Sequence, residues 1–406
     1  MLEGVKVIEM ATYVAAPSAG GIMRDWGADV IKIESPRGDP WRVFPTPVKD
    51  AASFGNPLFD LDNRGKRAIC IDTSTPEGVA VLKRLVRDAD VFITNTRPGA
   101  LERAGLDYEA LKKENPRLIY SSVSGYGMIG EERDRPGFDM AAFWARAGTC
   151  RTMAPEGANP FPLRTAAGDH VTGLTTLGGI MGALYEREKT GKGRLVETSL
   201  LRTGIYMMSS DYAMQLRFGK LAPTPPREKT ISPLTNFFQA GDGHWFAYLP
   251  RQTKRDWPEL ANTLGLEHLA EDERFSTPLG RRKNAVELVG ILDAVFAQKT
   301  LEQWGKIFDD ADLVWAPVQT AAEVVVDPQA HAAGAFVDVT RSNGETYKSV
   351  ATPVRFHDGE DAHPRGDTPA FGQHTIEVLR EHGYNEAEIE ALRSKNIIAS
   401  TRGAAA

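Results

Sequence analysis

The chain has 406 residues, 42% of them apolar and 25% charged, with a formal net charge of -6. That length calls for two domains rather than one core. The ordinary composition excludes a disordered or fibrous chain, and the acidic balance disfavours nucleic acid, whose binders carry a basic stripe. Two cysteines, Cys70 and Cys150, make neither a disulfide framework nor a zinc site and fit a reducing cytosol, and the N-terminus and apolar runs point to neither secretion nor membrane insertion.

In chain order, Val5-Lys6-Val7-Ile8-Glu9-Met10 reads as a strand, and Pro17 followed by small residues opens a helix that closes near Gly27. Val30-Ile31-Lys32-Ile33 is the next strand and completes a βαβ unit. Ala68-Ile69-Cys70-Ile71 repeats the pattern. Thr75-Pro76-Glu77 then starts a helix in which Val79, Leu82, Leu85 and Val86 recur at helical spacing. Further strands are predicted at 91–94 and 118–123, with a short helix over 108–113. Strands alternating with helices predict an α/β domain, doubly wound and Rossmann-like, with a mainly parallel sheet covered on both faces.

Residues 172–188 are small and apolar and predict a buried helix, in which close backbone approach must compensate for several glycines. Residues 195–200 extend as a strand. The run Leu221-Ala222-Pro223-Thr224-Pro225-Pro226 predicts a linker, 221–226, after a large domain over 1–220. The smaller α+β domain beyond it opens on a hairpin signal, two aromatic runs separated by Gly241-Asp242-Gly243, and continues in helices over 285–297 and 301–307. A strand over 351–356, a last helix over 387–395 and a frayed end over 400–406 complete the prediction.

Four local signals bear on chemistry. Gly125-Tyr126-Gly127-Met128-Ile129-Gly130 matches a dinucleotide fingerprint after a strand, but the charged, proline-broken segment behind it does not open a phosphate-binding helix, so a glycine-rich site loop is the better account. Asp169, in Gly168-Asp169-His170, stands at a helix start, where an aspartate is most often an N-cap. Gly137-Phe138-Asp139, with Phe143 and Trp144 behind it, reads as a buried helix start. Asn95-Thr96-Arg97-Pro98-Gly99 follows a strand end, the ligand edge of an open α/β sheet or an ordinary solvated loop.

Taken in order, Gly4-Val5-Lys6-Val7-Ile8-Glu9, Ala28-Asp29-Val30-Ile31-Lys32-Ile33-Glu34, Asn63-Arg64-Gly65-Lys66-Arg67, Asn95-Thr96-Arg97-Pro98-Gly99, Gly125-Tyr126-Gly127, Pro136-Gly137-Phe138-Asp139 and Gly168-Asp169 resemble the class III CoA-transferases. The resemblance implies that Asp169 is the nucleophile, with Asp139 orienting a substrate or assisting it. It also implies that coenzyme A and acyl-CoA are substrates rather than prosthetic groups, and that no metal takes part. Val14, Ala15, Arg37, Lys66, Asn95 and Arg103 match CoA-contact positions, and Gly125 and Gly127 belong to a loop able to hold an oxyanion, a role extended to residues 241–243.

Glutamine often stands in the family where Val14 stands here. A racemase branch carries histidine where Phe138 stands, and without that base the transferase prevails over the racemase; the segment behind Gly130 sets it above a nicotinamide oxidoreductase. The segment around Phe138, Phe143 and Trp144 is similar to transferases of 2-hydroxy acids such as phenyllactate and 2-hydroxyisocaproate. The resemblance further implies an acyl-CoA donor, a carboxylic acid acceptor and an interlocked homodimer in the cytoplasm. Its small domain spans 227–326, and a return segment, 327–406, completes the large one.

Overall fold

The computed structural model describes residues 1–45, 55–251 and 255–400, and every statement below concerns those residues. Six β-branched runs form parallel strands: β1 (Lys6–Met10), β2 (Asp29–Glu34), β3 (Arg67–Ile71), β4 (Val91–Thr94), β5 (Ile119–Ser124) and β6 (Leu195–Ser199). The order across the sheet is β3-β2-β1-β4-β5-β6, with a short seventh strand, Ile398–Ala399, antiparallel on the β3 edge. Val7 pairs with Val30 on one side and Val91 on the other, so β1 is the centre from which the chain winds first one way and then the other.

Helices cover both faces, as the near-continuous apolar strands require. One face packs against α3 (Pro76–Val86), α4 (Pro98–Ala104) and α5 (Tyr108–Glu114) through Leu82, Leu85, Leu101 and Leu111. Thr75 caps α3, its hydroxyl accepting from Gly78 N–H at 3.1 Å, with Pro76 at the first helical position. The other face packs against α1 (Ala15–Asp25) and the long helix α7 (Ala167–Thr190), which follows α6 (Thr149–Met153). These two helices approach closely because Gly173 has no side chain: a Cβ there would lie 2.9 Å from the carbonyl oxygen of Ala15.

The chain divides into two compact units, Met1–Arg151 with Phe161–Lys220 and Ala332–Ala406, and Thr152–Pro160 with Leu221–His331. In the second unit the hairpin of β7 (Asn236–Gln239) and β8 (Trp245–Tyr248) is joined by β9 (Trp315–Pro317). Its core is aromatic, with Phe246 edge-on to Phe296 at 5.0 Å. The turn at residues 241–243 lies in this unit.

Several elements differ from their prediction. Residues 351–356 form no strand. The chain pairs just before them instead, β10 (Phe336–Thr340) with β11 (Thr346–Val350), a hairpin too polar in alternation to stand out. α1 opens at Ala15, two residues ahead of Pro17, and α7 begins five residues ahead of its predicted start. The helices α8 (Leu200–Met207) and α9 (Ser209–Phe218) follow β6. Nearly all of the frayed segment, 401–406, lies outside the described residues.

Candidate active site

Strand order reverses between β1 and β4, and the loops leaving their carboxyl ends diverge there, the crevice in which open α/β sheets bind ligands. Asn95, the first residue after β4, straddles the reversal: its Oδ1 accepts from Thr12 N–H at 3.1 Å and its Nδ2 donates to Thr12 O at 2.7 Å. Over this bridge opens a cavity of about 970 Å³ with Arg37 and Arg103 on its wall. An adjoining pocket of about 440 Å³ adds Arg97. Among the described residues none of these three guanidiniums forms an ion pair, so they are available to a polyanion such as a nucleotide phosphate.

A smaller cavity, about 230 Å³, shares Thr12 and Asn95 with the first and carries Asp169 on its wall together with Ala15, Gly125 and Phe138. Gly125 and Gly137 lie back to back here: a Cβ on Gly125 would stand 2.9 Å from Gly137 Cα, so neither position admits a side chain while the loops stay closed. Asp169 is the third residue of α7 and caps nothing. The cap position belongs to Ala166, held at φ 61, and carries no side-chain bond. The N-cap account of Asp169 is therefore overturned by the earlier helix start, which turns the carboxylate into the cavity.

Burial and then the Asp139 charge push the Asp169 carboxyl up to about 7, with His170 opposing them. Burial also raises Asp139, which accepts from Met140 N–H at 2.7 Å, while the amides of Gly168 and Ala166 work against the rise. His170 loses favour for its charge on burial, yet Asp62, 3.3 Å from its Nε2, more than restores it.

Beneath the β1–α1 loop lies a fully buried charge network. Glu9 pairs with Lys66 at 2.7 Å and Lys32 at 3.2 Å, and Lys32 pairs with Asp39 at 2.9 Å. Arg42 pairs with Glu34 at 2.6 Å, and Glu34 accepts from the Asp39 N–H at 2.8 Å. Asp39 Oδ1 in turn accepts from Tyr13 N–H at 3.1 Å, tying the loop to the network.

Over residues 2–375 the sequence matches CoA-transferase family III. The chain belongs to that family and is a CoA-transferase. It is 35% identical over 399 residues to the (R)-2-hydroxy-4-methylpentanoate CoA-transferase of Clostridioides difficile, covering 98% of this chain and 99% of that one. It is also 35% identical over 403 residues to the cinnamoyl-CoA:phenyllactate CoA-transferase of Clostridium sporogenes, covering 98% and 97%. A crystal structure of a CaiB/BaiF family protein from Brucella suis superposes with a TM-score of 0.82 at 31% identity, over 94% of this chain and 99% of that one.

Of the residues singled out from sequence, Ala15, Arg37, Asn95, Arg103, Gly125 and Asp169 line these cavities. Others do not. Lys66 is fully buried, its ammonium spent on Glu9, Pro17 O and Asn63 Oδ1, and burial pulls its pKa down to about 8; it braces the CoA-transferase scaffold instead of meeting a ligand. Val14 packs with Trp41, Phe59 and Ala166 behind the wall. Gly127 donates its N–H to Ser124 Oγ at 2.9 Å, away from the cavity lining. Asp139 stands behind Asp169 rather than beside it on the wall.

Phe143 and Trp144, offered for an acyl group, are core: Phe143 is 2% exposed, and the Trp144 indole donates to Phe161 O at 2.7 Å. The glycine-rich run at 125–130 is followed by turns and then by a π-helical segment, Asp139–Arg146, so the run itself opens no α-helix as a dinucleotide fingerprint would. Arg97 and Tyr13 are wall residues that sequence reasoning did not assign. Arg97 was within reach, because it sits between a strand end and the proline that opens α4; Tyr13 offered no signal.

Proposed function

We propose that this CoA-transferase moves CoA between carboxylic acids through a covalent aspartyl-CoA thioester on Asp169, and that one of its acids is a 2-hydroxy acid with a branched or aromatic side chain. The observation that carries this reading is one continuous wall. It joins a carboxylate without a cation partner in a small cavity, through Arg97 at the junction, to Arg37 and Arg103 in a larger one, three cations without ion-pair partners among the described residues. A CoA thioester has that polarity: phosphates at one end, a carbonyl carbon open to attack at the other.

In the proposed sequence the Asp169 carboxylate attacks the thioester carbonyl of the acyl-CoA donor, giving a mixed anhydride and CoA thiolate. The thiolate attacks the aspartyl carbonyl and releases the donor acid. The acceptor carboxylate then attacks the aspartyl thioester, expelling thiolate, and the thiolate takes the acceptor acyl group and frees Asp169. Burial and the Asp139 charge raise the Asp169 pKa and with it the nucleophilicity of the carboxylate, while leaving a large ionised fraction near neutral pH. Phe138, which has no ionisable group, stands on the wall where proton abstraction by a racemase would need a base.

The acid class follows from the names of the two Clostridium-type relatives and from the apolar side chain of Phe138 on the wall. A homodimer is part of the same proposal. α9 buries no residue, and Leu216 and Phe218 stand exposed on it beside Tyr206 of α8, an apolar face of the kind that monomers rarely leave open. So are a cytoplasmic setting and a division into 1–220 with 327–406 as CoA-binding domain and 227–326 as smaller domain.

Mass spectrometry after incubation with acyl-CoA and hydroxylamine tests the mechanism. A hydroxamate on Asp169 is the expected product, and full turnover with an unmodified Asp169 overturns the proposal.

A further inference from the structure

We infer that the phenol of Tyr13 is a specificity group of the acyl cavity, donating a hydrogen bond to the 2-hydroxyl of the bound acid. This rests on the 2-hydroxy acid reading above and extends it to a residue.

Tyr13 has φ 63, a left-handed conformation that bulky side chains rarely hold and that persists only when the surroundings over-determine it. They do so here. The Tyr13 N–H is bound to Asp39 Oδ1, and Asp39 is itself fixed by Lys32 at 2.9 Å and by its own N–H on Glu34. The ring lies edge-on to Phe138, centroids 5.4 Å apart, and tilted against Trp41 at 6.1 Å. A buried ion network thus holds a strained backbone whose result is to set a phenol on the wall that Asp169 shares.

The other polar groups of that wall are largely spoken for. Asn95 is spent on Thr12, Arg133 is paired with Glu102 at 2.6 Å, and Arg135 is paired with Glu132. Arg97 also lines the adjoining pocket beside Arg103, on the side assigned to the phosphates. The neutral hydroxyls on the wall belong to Thr12, Tyr13 and Ser124; Ser124 Oγ accepts from Gly127 N–H, and it is Tyr13 whose ring packs edge-on against Phe138. The Tyr13 hydroxyl has no partner among the described residues. Beside Phe138, it offers one donor against an apolar surface, the combination that reads a hydroxyl on an otherwise hydrocarbon acid.

Tyr13→Phe removes the hydroxyl and keeps the ring contacts. The readout is a selectivity ratio, kcat/KM for 2-hydroxy-4-methylpentanoate over kcat/KM for 4-methylpentanoate as acceptor. In the wild type this ratio is expected well above one, and in Tyr13→Phe it is expected to fall about 5- to 10-fold, the worth of one neutral hydrogen bond. A high wild-type ratio that persists in Tyr13→Phe overturns the inference alone. A wild-type ratio near one overturns the 2-hydroxy acid reading and the inference with it.

Discussion

Beneath the β1–α1 loop, Glu9, Glu34 and Asp39 face Lys32, Lys66 and Arg42, so that each buried charge has an opposite within ion-pair distance. At the cavity, in the first turn of α7, Asp169 has Asp139 and Asp62 for neighbours and only His170 to offset them. The two regions share burial and differ in balance. Where charges cancel, the chain has spent its ionic groups on holding a loop, and a pair of that kind contributes shape more than net stability. Where they do not cancel, a carboxyl is left with its proton affinity raised into the working pH range. Cations without partners wait nearby on the wall, and that imbalance is what a substrate completes.

Replacing Asp169 by Asn breaks the comparison at its centre and carries the largest expected effect. Transfer should fall by about four orders of magnitude, as when a covalent nucleophile is lost, measured by steady-state formation of product CoA ester. The folded protein should meanwhile gain. A carboxyl raised to about 7 penalises the folded state fully above that pH. The melting temperature of Asp169→Asn should therefore exceed the wild type by about 2–4 °C at pH 8, for roughly 1 kcal/mol. The gain should fade as pH falls below 7 toward the ordinary aspartate range.

Glu9→Ala makes the converse cut. It strands Lys66 in the interior and leaves Lys32 to Asp39 alone, which should cost about 3–5 kcal/mol and roughly 6–20 °C of melting temperature by calorimetry. A loss under about 1 kcal/mol would mean that the network is not holding the loop.

Arg103→Ala sharpens the contrast from the cation side. KM for acyl-CoA should rise about tenfold, with a weaker dependence on ionic strength and a melting temperature unchanged within about 1 °C. A large drop in melting temperature would place Arg103 with the scaffold instead.

The smallest effect concerns the coupling of the two acids. In the proposed mechanism the ionised form of Asp169 attacks, so kcat/KM should fall as pH drops below about 7. Asp139→Asn removes a neighbouring negative charge and should move that inflection down by about half to one unit. An inflection that stays in place would show that burial alone sets it.

The alternation of β-branched runs with helical ones made the sheet legible, and the capping signal at Thr75-Pro76 located α3 to the residue. The ordered motifs made the family legible as well. What misled was local. Asp169 reads as a cap because aspartate before a small apolar run usually is one, yet α7 starts at Ala167 with a left-handed Ala166 behind it, and nothing in alanine announces that conformation. Lys66 matches a CoA-contact position by its resemblance to the family, and a basic run reads as exposed. The lysine is buried because Glu9, 57 positions away in the chain, lies beneath it on the central strand.

By itself, then, the sequence determined the parallel α/β layering and the transferase family, and it singled out Asp169. Those rest on periodicity and on residue types in order, which are properties of the chain. Only the tertiary structure decided which charges are paired and which are left over, that Phe143 and Trp144 are core while Phe138 and Tyr13 face the cavity, and that Asn95 bridges the strand reversal. Ion pairs, burial and a strained φ depend on what the fold brings within a few ångströms, and separation along the chain carries no record of it.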